Sequence, residues 1–260
     1  MNNYNLTFIS NQNLFNHVKE TVLKYRFKIN LKKFNENLID PIKLTFDGKV
    51  YQKDLESLIN DEIMRQIDKS NTNHIGYFHQ NIFKYIHHKD IEQTIPYTMK
   101  TNWYIPKKGF DIINDQEKIF VEVKNKHNTM NSSSSQKTYM RMQHKINIEP
   151  SSQCFLVEVI AKNSQNIPWI VSLDSEQISD ERIRRVSIDK FYEIVTGEKE
   201  AFKNLCEKLP IVIDDVIKSL EDEIMQNSVF EELEAISPNI LKSLYLLSFS
   251  KYEGFHSFDI

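Results

Sequence analysis

The segment Cys154 to Ala161 (Cys-Phe-Leu-Val-Glu-Val-Ile-Ala) is apolar at nearly every position. A strand carries apolar side chains on both faces only where both faces are covered, as in the middle of a layered sheet. A further strand is predicted at Pro168 to Leu173. These strands and the helical spacing around them predict an α/β fold, with a mixed central sheet flanked by helices and helical N- and C-terminal extensions.

The polar turn Asn114 to Glu117 joins two alternating segments and indicates a β-hairpin. In the second strand, alternation places Glu122 and Lys124 on one face and aliphatic side chains on the other. If the turn closes symmetrically, Asp111 pairs with Phe120 on the face of Glu122. The two acids are then diagonal neighbours, roughly 7 to 8 Å apart between backbones, close enough to share one ion. A register slip of one residue would abolish this arrangement.

This face carries the groups that a metal-dependent nuclease requires. Mg²⁺ prefers oxygen ligands and keeps several of its waters, so Asp111 and Glu122 suffice to hold it, with Val123 as a further metal-binding position. Such an ion activates water and offsets charge on a phosphodiester. Lys124 would orient the water or help to deprotonate it. The alternative interpretation of these residues is the solvated face of an amphipathic strand.

Pro106, Asp111, Glu122 and Lys124 resemble the motif of the PD-(D/E)xK nuclease superfamily, with the Pro five residues before the Asp instead of directly before it. Further segments are similar to the type II restriction endonucleases that cut the interrupted site GGNCC or its GGWCC variant. They are Asn37 to Lys43, His74 to Gln80, Val121 to Met130 and Ser187 to Gly197. The resemblance spans most of the chain, and the family assignment depends on these flanking segments.

The resemblance implies a homodimer that binds palindromic double-stranded DNA, requires Mg²⁺ and breaks both strands to leave 5′-phosphates. It also implies a cognate DNA methyltransferase in the same cell, without a stable complex. Two alternatives stay open. One is a repair or structure-selective nuclease on the same fold, and the other is a non-catalytic DNA-binding protein.

Enzymes of this superfamily often add an acid from an early helix to the metal shell. Glu62 falls inside the apolar stripe of the predicted helix Gln52 to Asp68, where a carboxylate is costly unless it meets a cation, a metal or a donor. Glu62 is therefore a fourth candidate for the catalytic site. The alternative is a Glu at the edge of the stripe that reaches water.

The segment Lys126 to Gln136 directly follows the catalytic strand and is rich in hydrogen-bonding side chains, which predicts either a mobile tether or a loop that orders on DNA. The next segment, Lys137 to Asn147, has helical spacing, with Arg141 and Lys145 on one face that could lie along a DNA backbone. The candidate DNA-binding residues are Lys126, His127, Asn128, Lys137, Arg141 and Lys145.

Apolar spacing predicts several further helices. They are Asn11 to Phe27, His74 to His88, a helix near Ser187 to Thr196 capped at Asp189, and three helices around Phe202 to Leu209, Val212 to Ile224 and Glu231 to Phe249. Residues 1–260 are predicted to form a single nuclease domain. Within it, residues 1–95 form an N-terminal helical part, residues 96–197 the catalytic α/β core and residues 198–260 a C-terminal helical part.

The charge of the chain is unevenly distributed. The 260 residues have a net charge of −3, yet Lys100 to Glu149 contains nine Lys or Arg against five acids, whereas Asp174 to Glu223 contains eight against fourteen. A basic segment around the proposed site suits a DNA-binding face. The N-terminus lacks the pattern of a signal peptide, and no apolar run approaches the length of a membrane span, so we expect a cytoplasmic protein.

Overall fold

The computed structural model describes residues 3–25, 28–88, 102–173, 176–220, 226–252 and 255. The chain forms two compact units from interleaved segments. The first unit comprises Met1–Leu23 and Ile75–Leu220, and the second comprises Lys24–His74 and Glu221–Ile260. Within the described residues, no helix is long and apolar enough to cross a membrane.

The elements follow in chain order. They are α1 (Asn11–Val22), β1 (Lys28–Ile29), α2 (Leu31–Asn35), α3 (Pro41–Tyr51), α4 (Leu55–Asn81), a 3-10 turn (Ile82–Lys84), β2 (Trp103–Tyr104), β3 (Ile112–Asn114), β4 (Ile119–Lys126), α5 (Ser132–Ile148), β5 (Gln153–Ile160), β6 (Asn166–Pro168), β7 (Val171–Leu173), β8 (Glu176–Ile178), β9 (Ile183–Ser187), α6 (Ile188–Thr196), α7 (Ala201–Lys218), β10 (Gln226–Asn227), α8 (Val229–Ile236) and α9 (Ile240–Phe249).

A six-stranded mixed sheet in the order β2-β3-β4-β5-β9-β6 forms the centre of the first unit. The pairs β4-β5 and β5-β9 are parallel, and the outer pairs are antiparallel. The apolar run identified in the sequence is β5, and both of its faces are buried: Phe155 and Val157 face one cluster, Cys154 and Leu156 the other. The prediction of a central strand in an α/β fold is confirmed.

Helices cover both faces of this sheet. Residues of α1, α6 and α7 pack on the face that carries Ile119, Val121 and Val123. Helix α5 packs on the opposite face, which carries Phe120, through Tyr139, Met142 and Ile146. The alternation predicted for β4 is confirmed, because Ile119, Val121 and Val123 enter one cluster and Phe120 enters the other.

The second unit is mostly helical. Residues of α2, α3, α8, α9 and the first part of α4 form its core, and β1 pairs in parallel with β10. Among the described residues, the buried apolar side chains of this core are Ile29, Phe34, Ile39, Leu44, Leu58, Ile59, Ile63, Ile67, Val229, Leu233 and Leu244.

Several predicted helix boundaries are wrong. The helices predicted at Gln52 to Asp68 and His74 to His88 are joined in the single helix α4, because residues 69–73 contain neither Gly nor Pro to interrupt it. Helix α4 ends at Asn81, short of His88, and the 3-10 turn follows it. The helices predicted around Phe202 to Leu209 and Val212 to Ile224 merge into α7. That helix continues through Pro210 because its apolar face is buried on both sides of the Pro.

Helix ends were misplaced where caps decide them. Helix α5 begins at Ser132, so the four-Ser run forms its first turn instead of a loop, because the side chain of Asn131 accepts a hydrogen bond from the Ser134 N–H at 2.8 Å. Ser187, not Asp189, is the N-cap of α6. Helix α1 ends at Val22, short of the predicted Phe27. The strand predicted at Pro168 to Leu173 is divided into β6 and β7.

Candidate active site

The hairpin β3-β4 brings the three motif residues together in a register that differs from the predicted one. Ile113, not Asp111, pairs with Phe120, and Ile112 pairs with Val121. The pairing is therefore shifted by two residues. Because side chains alternate with a period of two, a shift of two leaves every side chain on its predicted face. Asp111 lies directly before β3, outside the paired residues, and is hydrogen-bonded to Val121 and Val123, the two neighbours of Glu122 on β4.

The turn explains this register. Asn114 is buried and ends β3, and its Oδ1 accepts hydrogen bonds from the N–H groups of Gln116 and Glu117 at 3.1 and 3.2 Å. Lys118 has φ of 57°, a left-handed conformation that closes the turn before β4 begins. The turn therefore spans residues 115–118, one position later than predicted, and its closure sets the pairing of the two strands.

Asp111 is fixed to the backbone of β4 by two hydrogen bonds. Its N–H donates to the Val121 carbonyl at 2.8 Å, and its Oδ2 accepts from the Val123 N–H at 2.8 Å. Burial, followed by the charge of Glu122, raises the pKa of the Asp111 carboxyl above its ordinary value. The Val123 N–H, Lys124 and Arg141 oppose this rise. The carboxylates of Asp111 and Glu122 thus lie close together and largely shielded from solvent, which favours a bound cation.

Glu122 is buried and is held by two cations. Its Oε1 accepts from Lys124 Nζ at 2.7 Å, and its Oε2 accepts from Arg141 Nη2 of α5. The Arg141 guanidinium also donates to the Gly109 carbonyl at 3.0 Å and lies over the Phe110 ring, 5.2 Å from its centroid. The site therefore carries two carboxylates and two cationic side chains around β4, the first of the three parallel strands in the sheet.

The donor set fits a hard divalent cation. Among the described residues there is no group of three or more His, Cys, Asp and Glu side chains that could hold a metal ion. Asp111 and Glu122 nevertheless provide carboxylate oxygens on one face, and Mg²⁺ is commonly held by one or two carboxylates together with water and substrate phosphate. The side chain of Val123 is buried in the aliphatic cluster on the other face, so only its main-chain carbonyl could contribute.

A buried ion pair that the sequence did not indicate lies beside Lys124. Glu158 of β5 pairs in register with Lys124 and is only 2% exposed. Its carboxylate accepts two hydrogen bonds from Arg185 of β9, at 3.0 and 2.5 Å. Arg185 also donates to the His127 carbonyl at 3.2 Å and so connects this pair to the chain leaving β4. The one feature of the sequence that could have pointed to this pair is Glu158 itself, the single acid within the apolar run of β5.

The predicted DNA-binding residues after the catalytic strand lie where the strand ends. Lys126 is exposed at the end of β4, opposite Ile160. His127 is half-buried, and its N–H donates to the Ile160 carbonyl at 3.1 Å. Asn128 is exposed in the following turn. These positions are compatible with a DNA contact, which stays a prediction.

The predicted DNA-binding residues of α5 have different surroundings. Lys137 is exposed near the start of the helix. Arg141 is directed at Glu122 and Gly109, as described above. Lys145 forms an ion pair with Glu149 at 2.7 Å and lies 4.0 Å from the centroid of the Phe120 ring. The shared face of Arg141 and Lys145 thus packs on the hairpin.

Glu62 belongs to the second unit, and its carboxylate has partners of its own. Arg65 donates to it through Nε at 2.6 Å and Nη2 at 2.5 Å, and Gln66 Nε2 donates at 3.0 Å. Burial alone would raise the pKa of the Glu62 carboxyl, but these hydrogen bonds outweigh burial and lower it. The role of Glu62 as a supporting acid stays a prediction.

Comparison with known proteins identifies the family. The sequence model described as Eco47II restriction endonuclease matches residues 6–218. The chain belongs to the Eco47II restriction endonuclease family. It is 31% identical over 230 residues to the type II restriction enzyme Sau96I of Staphylococcus aureus, with 84% of each chain covered. It is 28% identical over 225 residues to the type II restriction enzyme Eco47II of Escherichia coli, covering 82% of this chain and 88% of that one.

The family membership confirms the predicted class. The chain is a site-specific deoxyribonuclease of the type II restriction enzymes, as the resemblance of the flanking segments implied. The matched range 6–218 includes the whole hairpin, α5 and the Glu158–Arg185 pair. The geometry described above therefore lies within the part of the chain that defines the Eco47II family.

Proposed function

We propose that this enzyme hydrolyses both strands of duplex DNA at a GGNCC-like palindrome, with Mg²⁺ held by Asp111 and Glu122, and leaves 5′-phosphates. The observation that carries the proposal is the convergence of Asp111, Glu122 and Lys124 on one face of the hairpin. The recognition site is taken from the resemblance to enzymes that cut GGNCC or GGWCC.

The two carboxylates would hold the ion, and the Val123 carbonyl is a third possible ligand. A divalent ion there would lower the pKa of a bound water and neutralise charge that develops on the phosphate. Asp111 is suited to this role because the Val123 N–H donates to Oδ2 and fixes the carboxylate before any ligand arrives. Burial, followed by the charge of Glu122, raises the pKa of the Asp111 carboxyl, so a divalent cation at this carboxylate would favour its ionised form.

Lys124 would act on the attacking water. Its Nζ rests 2.7 Å from Glu122 Oε1, within reach of any water bound to the same carboxylate. From that position the ammonium orients the water by hydrogen bonding and offsets charge on the phosphate oxygens. The Glu158 carboxylate is hydrogen-bonded to Arg185, and the carboxylate that Lys124 contacts is that of Glu122.

A palindromic target implies two-fold symmetry in the protein, and we propose a homodimer with one site for each strand. The proposed DNA contacts are Lys126, His127, Asn128, Lys137, Arg141 and Lys145. A restriction enzyme also requires that the host DNA be protected, so we propose a cognate methyltransferase in the same cell that forms no stable complex with this chain.

Incubation of the purified protein with unmethylated phage DNA and Mg²⁺ tests the proposal. EDTA and the isosteric Asp111→Asn variant serve as controls, and sequencing of the fragment ends reads the site. We expect discrete fragments whose ends carry 5′-phosphates at a GGNCC-like sequence, and we expect none in either control.

Two other results would favour the alternatives. A metal-dependent smear without a common end sequence would indicate a repair-type or structure-selective nuclease on the same fold. DNA that stays intact with the wild type, yet is retarded in a gel by it, would indicate a non-catalytic DNA-binding protein. Cleavage that persists at full rate in Asp111→Asn would place the chemistry elsewhere in the chain.

A further inference from the structure

Both carboxylate oxygens of Glu122 are occupied by side-chain cations of this chain. Lys124 Nζ takes Oε1 at 2.7 Å, and Arg141 Nη2 takes Oε2. Of the Asp111 oxygens, Oδ2 accepts the Val123 N–H. A metal ion that used Glu122 would therefore have to displace one of the two cations or share an oxygen with it.

Arg141 is the cation better placed to be displaced. It comes from α5, whereas Lys124 lies two residues from Glu122 on the same strand. Its guanidinium has a second anchor in the Gly109 carbonyl and a third in the Phe110 ring, so it can leave Oε2 without leaving the site. Lys124 has no comparable anchor among the hydrogen bonds of the described residues.

The Arg141 guanidinium also has donor capacity that this structure does not use. Its Nε is buried and has no hydrogen-bond partner among the residues that the structure describes. A buried N–H without a partner is costly and is normally satisfied by some acceptor. A guanidinium presents Nε and Nη donors in a planar fork that matches two oxygens of one phosphate.

We propose that Arg141 is a two-position residue that couples metal binding to phosphate binding. Without a metal ion, Arg141 neutralises Glu122 and competes with divalent cations for Oε2. When a cation takes that oxygen, Arg141 turns its guanidinium to a phosphate oxygen of the DNA while keeping its contact with the Gly109 carbonyl. The proposal rests on the proposed function, because it requires the metal site at Asp111 and Glu122.

This role predicts that substitution of Arg141 strengthens metal binding but slows cleavage. Removal of the Arg141 charge removes a competitor, so the DNA-free enzyme should bind a divalent cation more tightly. The same removal takes away a phosphate contact, so cleavage should slow. If Arg141 only supported the fold of the site, its substitution would weaken metal binding and cleavage together. If Arg141 only contacted DNA, its substitution would leave metal binding unchanged.

The experiment measures Mn²⁺ binding to the DNA-free protein from the electron paramagnetic resonance signal of the free ion. Mn²⁺ takes the same oxygen ligands as Mg²⁺. For Arg141→Met, which keeps an apolar stem over Phe110, we expect a dissociation constant about five- to tenfold lower than for the wild type. Single-turnover cleavage with Mg²⁺ should be on the order of 100-fold slower.

Matched variants separate the explanations. Arg141→Gln can still donate to the Gly109 carbonyl but carries no charge, so it should show the same pair of changes even if Arg141→Met folds poorly. Lys108→Gln removes one positive charge from the exposed loop before Gly109 and should leave the Mn²⁺ constant within about twofold of the wild type. Asp111→Asn should weaken Mn²⁺ binding strongly.

The outcomes distinguish this proposal from the proposed function. An unchanged or higher Mn²⁺ dissociation constant in both Arg141 variants would overturn the role of Arg141 while leaving the metal site in place. Mn²⁺ binding by the wild type that Asp111→Asn does not weaken would overturn the proposed metal site, and the role of Arg141 with it.

Discussion

Lys124 Nζ lies 2.7 Å from Glu122 Oε1, so the two motif residues form an ion pair two positions apart on one strand. At rest, the lysine that would act on the water is a counter-ion of the carboxylate that would hold the metal. Charge on this face is therefore nearly balanced before DNA arrives, with Asp111 and Glu122 against Lys124 and Arg141.

Lys124→Met should separate chemistry from binding. The variant keeps the length of the side chain but cannot orient water or offset phosphate charge, so we expect single-turnover cleavage to fall by about 100-fold or more. The dissociation constant for a cognate duplex in Ca²⁺ should change by less than about fivefold. Filter binding and rapid quench measure the two quantities.

Lys126→Met is the matched control for that variant, because Lys126 is exposed two residues further along the same strand. If Lys126 contacts a phosphate, DNA binding should weaken and the slope of log affinity against log salt should fall by about one. The single-turnover rate at saturating enzyme should stay near that of the wild type. Equal loss of rate in both lysine variants would contradict a specific role for Lys124.

Glu158 and Arg185 should be energetically coupled. Glu158 is almost fully buried, whereas the Arg185 side chain is about one third exposed. Glu158→Gln leaves the Arg185 charge without its partner, and solvent at the partly exposed Arg185 reduces the cost of that unpaired charge. We therefore expect the variant to lower the free energy of unfolding by about 2 to 3 kcal/mol. Urea unfolding of both single variants and the double variant should give a coupling energy of about 1 to 2 kcal/mol.

The same set of single and double variants at the surface pair Lys190 and Glu193 provides a comparison, because both of these side chains are about one third exposed. A pair of this kind contributes about 0 to 1 kcal/mol. Additive effects of the Glu158 and Arg185 substitutions would show that the buried pair does not act as a unit.

His79 should make the protein sensitive to mild acid. Burial lowers the pKa of the His79 imidazole from 6.5 to about 4, so the folded protein disfavours the protonated form more than the unfolded chain does. Stability from this group is complete above pH 6.5, decreases as the pH falls towards 4 and is lost below that. The loss is of order 1 to 3 kcal/mol.

Urea unfolding at several pH values between 7 and 4 measures that dependence. His79→Gln should reduce the slope in this range, whereas His144→Gln, at an exposed position of α5, should leave it unchanged. An identical slope for the wild type and His79→Gln would show that His79 does not carry the sensitivity.

The sequence predicted which face each motif residue occupies, but it did not predict the register. Face membership follows from alternation alone, and a shift of two residues preserves it. The register depends on side-chain hydrogen bonds of Asn114 and on the left-handed conformation of Lys118, which the composition of a turn does not reveal. The hydrogen bonds that connect Asp111 to Val121 and Val123, on either side of Glu122, therefore became visible only in the structure.

Tertiary partners were also beyond the sequence. Arg141 was predicted to contact DNA from its helical spacing, yet that spacing contains nothing about Glu122, which lies 19 residues earlier on a strand. Likewise, Arg185 reaches Glu158 from a different strand, 27 residues later in the chain. The start of α5 was missed because Ser is a weak helix former, and the cap at Asn131 outweighs that preference.

The position of the metal ion is the central claim, and Fe²⁺-directed cleavage of the polypeptide measures it directly. Fe²⁺ with ascorbate and peroxide generates hydroxyl radicals at the metal site, and mass spectrometry locates the cut peptide bonds. We predict cuts beside Asp111 and Glu122 that Mg²⁺ suppresses and that are absent in Asp111→Asn. A further cut beside Glu62 would add that residue to the metal shell. Cuts confined to other segments, or cuts that persist in Asp111→Asn, would contradict the account.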